Sequence, residues 1–358
     1  MKYGLCSRKW LMIILVFWLC GCGKQQEVKE GIFWVSTGGR VCGEQGVFET
    51  ESGRVYFSDV QSGTKSIICD SASCSHGRQE CSAFFDGGTV YAALEEDHLL
   101  VVTGYGADRF GDYYLYETDV NGGNRRLLAF LRNMQTVDYV QFSGDEIVIA
   151  YHNFCDENLE PLETRIAGIY VYDRTEQQGK NVWSIEDYNA NIADIYYQDE
   201  TIFFIQVYRE NNVVFHRELC SLDLKTGEMY VIEPYVDASA SEIVLYQGKI
   251  LYAYNGAIWQ YDIKTQEKSL AIEQEFYLFG SYSTDWVLLR NDFQHAFYNE
   301  KDGVGNYIEM KDILCFKGFR EVIYAYYCPE GASKFEVVYF WPEDILDGNT
   351  NAMRRFKE

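Results

Sequence analysis

Three cysteines and one histidine lie within thirteen residues, at Cys69, Cys74, His76 and Cys81, with the spacing C-x4-C-x-H-x4-C. Three thiolates and one imidazole form a complete ligand set for tetrahedral Zn²⁺. The spacing differs from that of the common zinc fingers, zinc knuckles and haem-attachment motifs. A bound zinc ion is therefore one interpretation of this segment.

Disulfides are the competing interpretation, because they are common in exported proteins. Downstream of residue 22 the chain has eight cysteines, an even number that permits four bridges without assigning them. Cys315 and Cys328 flank a predicted hairpin and form one candidate pair, and Cys42 is a further candidate partner for the 69–81 segment. Free thiols in an anaerobic setting are the third interpretation. With a metal or with disulfides, we expect the segment to act as one local staple.

The first residues have the order of an export signal. Lys2, Arg8 and Lys9 precede the apolar run 10–19, which is too short to span a bilayer as a helix. The run ends in Leu19-Cys20-Gly21-Cys22. No later apolar run is long enough to span a membrane, so we expect the rest of the chain to be exported and soluble.

This ending resembles the bacterial lipobox. The resemblance implies that residues 1–21 are a signal peptide and that Cys22 becomes an N-terminus modified with acyl chains such as palmitate. Several acyl chains on one residue hold a protein stably at a membrane. The expected location is the outer face of the bacterial cell membrane. An ordinary signal peptide or an uncleaved anchor are the alternatives.

The charge of the chain restricts its partners. The net charge is −23, and it becomes −26 when the three basic residues of 1–21 are removed. Phosphates would be repelled by such a surface, so we expect no nucleic-acid partner. Residues 22–30 read as a polar tether. Only four prolines and no helical periodicity follow, so residues 31–358 are predicted to form a single domain.

A short alternating strand that ends on an acid recurs along the chain. Its acids are Asp59, Asp119, Asp173, Asp223 and Asp262, with looser copies at Glu300 and at Glu343 or Asp344. The alternation of Tyr, Val, Ile and Trp with polar residues favours half-buried strands. The terminal acid can accept hydrogen bonds from backbone N–H groups of the following turn.

A second hairpin pattern lies between these acids, so each unit has two hairpins and four strands. The intervals between acids are 60, 54, 50, 39, 38 and 43 residues. Radially arranged units of this length are typical of an all-β fold, the β-propeller. Seven copies predict seven blades, with six or eight as alternatives. Sandwiches seldom repeat at this length, and β-helix repeats are shorter. We expect segment 32–35 or 46–49 to complete the last blade and close the ring.

The lipobox, the Tyr56-Phe57-Ser58-Asp59 strand and the Cys/His spacing together resemble a group of poorly characterised β-propeller lipoproteins of Gram-positive anaerobes. The repeats also resemble loosely those of TolB-like propellers. The resemblance covers nearly all of the exported chain and implies its location and fold. It implies no activity.

Three long segments, 104–112, 151–163 and 208–212, each follow the second strand of successive predicted units. Equivalent connections emerge on one face of a propeller, where recognition loops are common. The expected contact residues are Tyr105, Arg109, Phe110, Tyr151, His152, Tyr208 and Arg209. We therefore expect a membrane-anchored protein that binds a glycan, peptide or protein.

Catalysis is the alternative function. The sequence lacks the serine-hydrolase elbow, the zinc-protease helix motif, the P-loop and the Rossmann fingerprint. No catalytic residue is predicted, and binding is favoured over enzyme activity. The chain has 54 acids, and a pair of carboxylates at the propeller channel would suit an extracellular enzyme acting on glycans. A metal or redox role for the 69–81 segment is a third possibility.

Overall fold

The alternating segments form short antiparallel strands in the computed structural model. The model describes residues 33–357 with several gaps. The gaps are 38, 70, 72, 77–80, 86–89, 105–110, 133, 157–159, 188–189, 211–213, 238–241, 275, 279–280, 284, 292–293, 311, 329–333 and 348. Expectations for Cys22, Tyr105, Arg109 and Phe110 fall outside the described residues. Phe33–Glu358 is assigned to one compact unit.

The strands follow one another as runs of four. Strand β1 is Phe33–Thr37, and the first run is β2 (Arg40–Cys42), β3 (Gly46–Glu51), β4 (Arg54–Asp59) and β5 (Thr64–Ile67). The second run is β6 (Val90–Glu95), β7 (His98–Gly104), β8 (Tyr113–Asp119) and β9 (Arg126–Leu131). The third is β10 (Thr136–Ser143), β11 (Glu146–Cys155), β12 (Pro161–Asp173) and β13 (Gln178–Asp187). The fourth is β14 (Asn191–Gln198), β15 (Thr201–Glu210), β16 (Val214–Asp223) and β17 (Met229–Glu233).

The last three runs contain shorter strands. The fifth is β18 (Val244–Tyr246), β19 (Lys249–Tyr254), β20 (Ala257–Asp262) and β21 (Lys268–Ile272). The sixth includes β22 (Tyr277–Leu278), β23 (Ser281–Tyr282), β24 (Val287–Asn291), β25 (Gln294–Asn299), β26 (Gly303–Val304) and β27 (Ile308–Glu309), of which β23 pairs with the seventh run. The seventh is β28 (Ile313–Phe319), β29 (Ile323–Tyr327), β30 (Glu336–Phe340) and β31 (Arg354–Arg355). A helix, α1 (Pro342–Leu346), and a 3-10 turn, Thr350–Ala352, lie between β30 and β31.

These runs form a ring of small antiparallel sheets, and the predicted all-β propeller is confirmed. Five runs are separate sheets of four or five strands, each one blade. The first and third runs belong to one nine-stranded sheet, because β1 pairs with β2 on one side and with β10 on the other. The described chain therefore shows five separate blades beside this larger sheet, where the repeats predicted seven. Among the described residues, no helix is long and apolar enough to cross a bilayer.

The prediction that segment 32–35 or 46–49 closes the ring is wrong. Phe33–Thr37 lies between the first and third runs, and Gly46–Glu51 pairs with β2 and β4 inside its own run. The outer strand of the last blade is β31, from the C-terminal end of the chain. Strands β28 to β31 of the last blade therefore come from its own stretch of sequence, and β23 from the preceding run adds a fifth strand.

Contacts between the first and last runs close the ring. The backbone N–H of Lys65 donates to the carbonyl of Lys357 over 2.7 Å, and Lys357 donates to Gly63 over 2.9 Å. The Tyr324 hydroxyl donates to the carbonyl of Gly43 over 2.9 Å. An apolar cluster packs the two runs together, and it includes Cys42, Val47, Phe316, Phe319, Val322 and Tyr324.

Strand β1 lies against the innermost strands of several blades. Trp34 is 3% exposed, and its indole N–H donates to the carbonyl of Leu94 in the second run over 3.0 Å. The hydroxyl of Ser36 accepts from the N–H of Val140 over 2.7 Å. The Phe33 ring lies 6.2 Å from that of Tyr196 in the fourth run. Because these partners are on first strands, which line the centre of a propeller, β1 fills part of the central channel.

The direction of β1 is fixed by its register. Phe33 pairs with Ser143, at the end of β10 that leads into the turn to β11. Thr37 pairs with Arg40, at the start of β2. Strand β1 is thus antiparallel to both β10 and β2. Its first residue, Phe33, lies at the end of the ring where the first strand of each blade connects to the second.

The acids at the strand ends form the predicted turns. Asp223 accepts from the N–H groups of Lys225 and Thr226 over 2.8 and 2.9 Å, and Asp262 does the same with Lys264 and Thr265. These backbone hydrogen bonds lower the pKa of both carboxyls. The recurring acid therefore has a structural role in the turn between third and fourth strands.

Candidate metal centre and ligand-binding face

The structure brings the four predicted metal ligands together. The sulfur atoms of Cys69, Cys74 and Cys81 and a ring nitrogen of His76 all lie within 4.8 Å of one another. His76 Nδ1 is 3.4 Å from Cys81 Sγ. Cys81 is buried, and the other three residues are half-buried.

Backbone contacts of the connection between β5 and β6 position this cluster. The N–H of Cys74 donates to the carbonyl of Ser71 over 3.0 Å, which closes a turn between the first two ligands. The N–H of His76 points at Cys74 Sγ over 3.3 Å. Arg54 Nε donates to the carbonyl of His76 over 2.7 Å. The turn and the arginine hold Cys74 and His76 side by side.

The structure does not support disulfides, which were the competing interpretation of the cysteines. All eight cysteines between residues 33 and 357 are unbridged, including the candidate pair Cys315 and Cys328. Cys315 and Cys42 are fully buried, and burial raises the pKa of each thiol to about 12. Such thiols are inert at neutral pH.

The two ends of the cluster differ in acidity. A hydrogen bond from the backbone of Ser71 lowers the pKa of Cys69, whereas burial raises the pKa of Cys81 to about 11.

The three predicted recognition segments do connect second and third strands of consecutive runs, between β7 and β8, β11 and β12, and β15 and β16. We call the end of the ring where these connections lie the loop face. Because strands alternate in direction, the connections from each fourth strand to the next blade emerge at the same end. Hairpin β11–β12 has strands of 10 and 13 residues and β15–β16 of 10 each, against 6 each for β19–β20.

The predicted boundaries of these segments are partly wrong. Tyr151 and His152 lie within β11, which continues to Cys155, and Tyr208 and Arg209 lie within β15. Tyr151 is 5% exposed, and its hydroxyl donates to Asn181 over 3.1 Å, so it is a packing residue. The side chains of Tyr208 and Arg209 are outside the description.

His152 belongs to a polar group at the loop face. Its Nδ1 lies 2.8 Å from a carboxylate oxygen of Asp138, which lies at the register shift between Val137 and Tyr139 of β10. The ring of Phe154 is 6.1 Å away. The amide of Gln135 fastens the end of β11, since its oxygen accepts from the N–H groups of Phe154 and Cys155 over 2.7 and 2.8 Å. These bonds fix the last residues of β11, next to its connection to β12.

An exposed aromatic side chain missed by the sequence prediction lies in the fourth run. Tyr235 follows β17 and is 63% exposed, and its ring stacks on that of His216 at 4.9 Å with an angle of 14° between the rings. His216 also contacts Glu218 over 3.6 Å and the carbonyl of Pro234. One ring face of Tyr235 is thereby held against a histidine while most of the residue faces solvent.

A buried charged group lies on three innermost segments. Lys317 on β28 is 2% exposed, and its ammonium is 3.1 Å from a carboxylate oxygen of Glu242. Asp194 on β14 accepts from the N–H groups of Ile195 and Ile243 over 2.9 and 2.7 Å. Burial raises the pKa of Asp194 to about 7, against the opposing charge of Lys317. The sequence did not predict this group, because its members lie far apart along the chain.

Comparison with known proteins bears on the fold alone. No protein-family model and no curated protein sequence matches the chain. The chain is similar to the β-propeller domain of the Trilobed protease from Pyrococcus furiosus at 12% identity, with a TM-score of 0.47 over 71% of this chain and 81% of that one. It is similar to the AfRom2 CNH domain at 12% identity, with a TM-score of 0.46 over 87% and 98%. Porphyromonas gingivalis dipeptidyl peptidase 4 is also 12% identical, with a TM-score of 0.48 over 84% of this chain and 57% of that one.

Proposed function

We propose that this protein is a membrane-anchored lipoprotein that binds a glycan, peptide or protein at the loop face. The observation that carries the proposal is the long pair of hairpins, β11–β12 and β15–β16, on neighbouring blades. A rigid ring holds such hairpins in fixed relation, which lowers the entropic cost of binding.

The chemistry of the loop face supports recognition. Tyr235 offers a large amphipathic surface that loses little conformational entropy when it is covered, and Tyr is enriched at binding surfaces for this reason. Its stacking on His216 fixes the ring before any ligand arrives. The Asp138–His152 pair adds hydrogen-bonding groups about one blade away.

The membrane anchor rests on the lipobox-like Leu19-Cys20-Gly21-Cys22. Acylation at Cys22 would place the ring on the outer face of the cell membrane.

Catalysis on glycans is the weaker candidate. Retaining and inverting glycosidases need two carboxyl groups that flank an accessible sugar bond. Asp194 and Glu242 are two carboxylates on inner segments of the ring, and the charge of Glu242 contributes to the raised pKa of Asp194. Asp194 is only 5% exposed and is engaged by two backbone N–H groups, and Glu242 is paired with Lys317.

The test is a binding screen of the full chain, purified in detergent, against glycans, peptides and cell-wall fragments. Tyr235→Ala is the test variant. Tyr230→Ala is its matched control, because Tyr230 is 60% exposed on β17 of the same blade, away from the loop face. We expect Tyr235→Ala to weaken binding of a ligand found in the screen at least tenfold and Tyr230→Ala to leave it unchanged.

Turnover is assayed in parallel. Hydrolysis of a glycan that is lost in a single Asp or Glu variant would overturn the proposal. If Tyr235→Ala and Tyr230→Ala weakened ligand binding equally, the loop face would be excluded as the binding site.

A further inference from the structure

We propose that Cys69, Cys74, His76 and Cys81 bind one zinc ion with tetrahedral coordination. The proposal does not depend on ligand binding at the loop face or on membrane anchoring. It rests on the convergence of four ligand atoms of the right chemistry from a connection whose described residues form no strand.

The distances suit zinc. Zn–S bonds of about 2.3 Å and Zn–N bonds of about 2.0 Å in a tetrahedron place sulfur atoms about 3.8 Å apart and sulfur and nitrogen about 3.5 Å apart. The His76 Nδ1 to Cys81 Sγ distance is 3.4 Å, and no pair among the four ligand atoms exceeds 4.8 Å. Movements of about 1 Å or less in side chains therefore complete the site.

The backbone of His76 is in an unusual conformation. Its φ is 54°, which residues with a Cβ seldom adopt, and such strain persists only where surrounding contacts enforce it. The conformation points the N–H of His76 at the sulfur of Cys74 and its carbonyl at Arg54. An N–H directed at a cysteine sulfur stabilises the thiolate that a metal requires.

Nearby cations balance the charge of the site. Three thiolates, one neutral imidazole and Zn²⁺ carry a net charge of about −1. Arg54 donates to the carbonyl of His76, and Arg125 donates to the carbonyls of Ser82 and Phe84 over 2.6 and 2.7 Å. Two guanidinium groups thus border the segment that carries the ligands.

The position of the site suggests its role. Between Ile67 and Val90 the chain forms one isolated bridge, Arg54 with Phe84, and otherwise no described strand. Connections longer than about 12–15 residues without secondary structure are uncommon inside a compact domain and often have a function. Zinc would tie residues 69–81 of this connection into one unit directly after the end of β5.

The experiment uses the full chain, purified anaerobically in detergent with reductant. We expect about one zinc per chain by elemental analysis. Replacement by Co²⁺ should give thiolate-to-cobalt charge transfer and the visible bands of a tetrahedral site. Zinc should also protect three thiols from alkylation, and chelation should expose them and lower the thermal unfolding midpoint.

Cys74→Ser should lose the metal, whereas Cys328→Ser, a half-buried thiol outside the cluster, should retain it. If Cys74→Ser fails to fold, the cobalt titration and alkylation of the unmodified chain still decide. Absence of zinc and of the cobalt charge-transfer band under reducing conditions would overturn the proposal. So would a disulfide among Cys69, Cys74 and Cys81 in the anaerobically purified protein.

Discussion

Replacing Trp34 tests whether β1 is part of the folded ring. Trp34 is 3% exposed, and its side chain packs 5.3 Å from the ring of Phe48 and 6.4 Å from that of Phe57. Burial of 150–250 Å² at about 25 cal/mol per Å² corresponds to roughly 4–6 kcal/mol. Trp→Ala changes in cores cost about 3–5 kcal/mol. We expect Trp34→Ala to lower the free energy of unfolding by about 4 kcal/mol.

Trp34→Phe separates packing from hydrogen bonding. It keeps most of the aromatic volume but removes the donor to the carbonyl of Leu94, which should cost about 1–3 kcal/mol. The assay is urea unfolding of the full chain followed by far-UV circular dichroism. Trp259→Ala is the comparison, because Trp259 is only half-buried on β20 and should cost less. A loss below about 1 kcal/mol for Trp34→Ala would refute the position assigned to β1.

Four further predictions follow from the sequence and the fold. Gly43→Ala should destabilise the protein by about 1–3 kcal/mol in urea unfolding, since a Cβ there would lie 2.7 Å from the Trp34 ring; no change would contradict the close approach. Cys22→Ala should move the protein from the membrane to the soluble fraction and abolish acyl mass, whereas retention at wild-type level would argue against lipidation. The folded-state pKa of Asp194 is raised to about 7 from 3.8, so the stability that Asp194 contributes is present below about pH 4 and is lost as the pH rises to about 7. Chemical unfolding across this range should show the loss of stability. A pH profile that Asp194→Asn leaves unchanged would exclude Asp194 as its source. Asp262→Ala should lower the thermal unfolding midpoint at neutral pH, and because the pKa of Asp262 is lowered, the difference from wild type should vanish in acid; a constant difference would point to another cause.

Local patterns predicted the blades because their chemistry is local. Asp223 and Asp262 bond to N–H groups two and three residues away, so a strand, an acid and a turn are visible in any short window. The Cys/His cluster was visible for the same reason, with all four ligands in thirteen residues.

Long-range features escaped prediction. Phe33 pairs with Ser143, and Lys317 meets Glu242 across 75 residues, and neither contact leaves a local signal. Tyr151 was misassigned because His152 and Asn153 are polar, although β11 continues through them to Cys155. The Asp138–His152 pair could have been predicted from the sequence, because its two strands are adjacent and joined by a short turn.

The direction of β1 limits how far from the membrane the protein could bind a ligand. Eleven residue steps separate Cys22 from Phe33, a span of at most about 36–40 Å when fully extended. Strand β10 has eight residues, which adds a depth of about 27 Å between the entry end and the loop face. With the proposed acylation at Cys22, these two lengths would keep the loop face within roughly 65 Å of the lipid headgroups. Such a protein would sample only molecules that come to the cell surface.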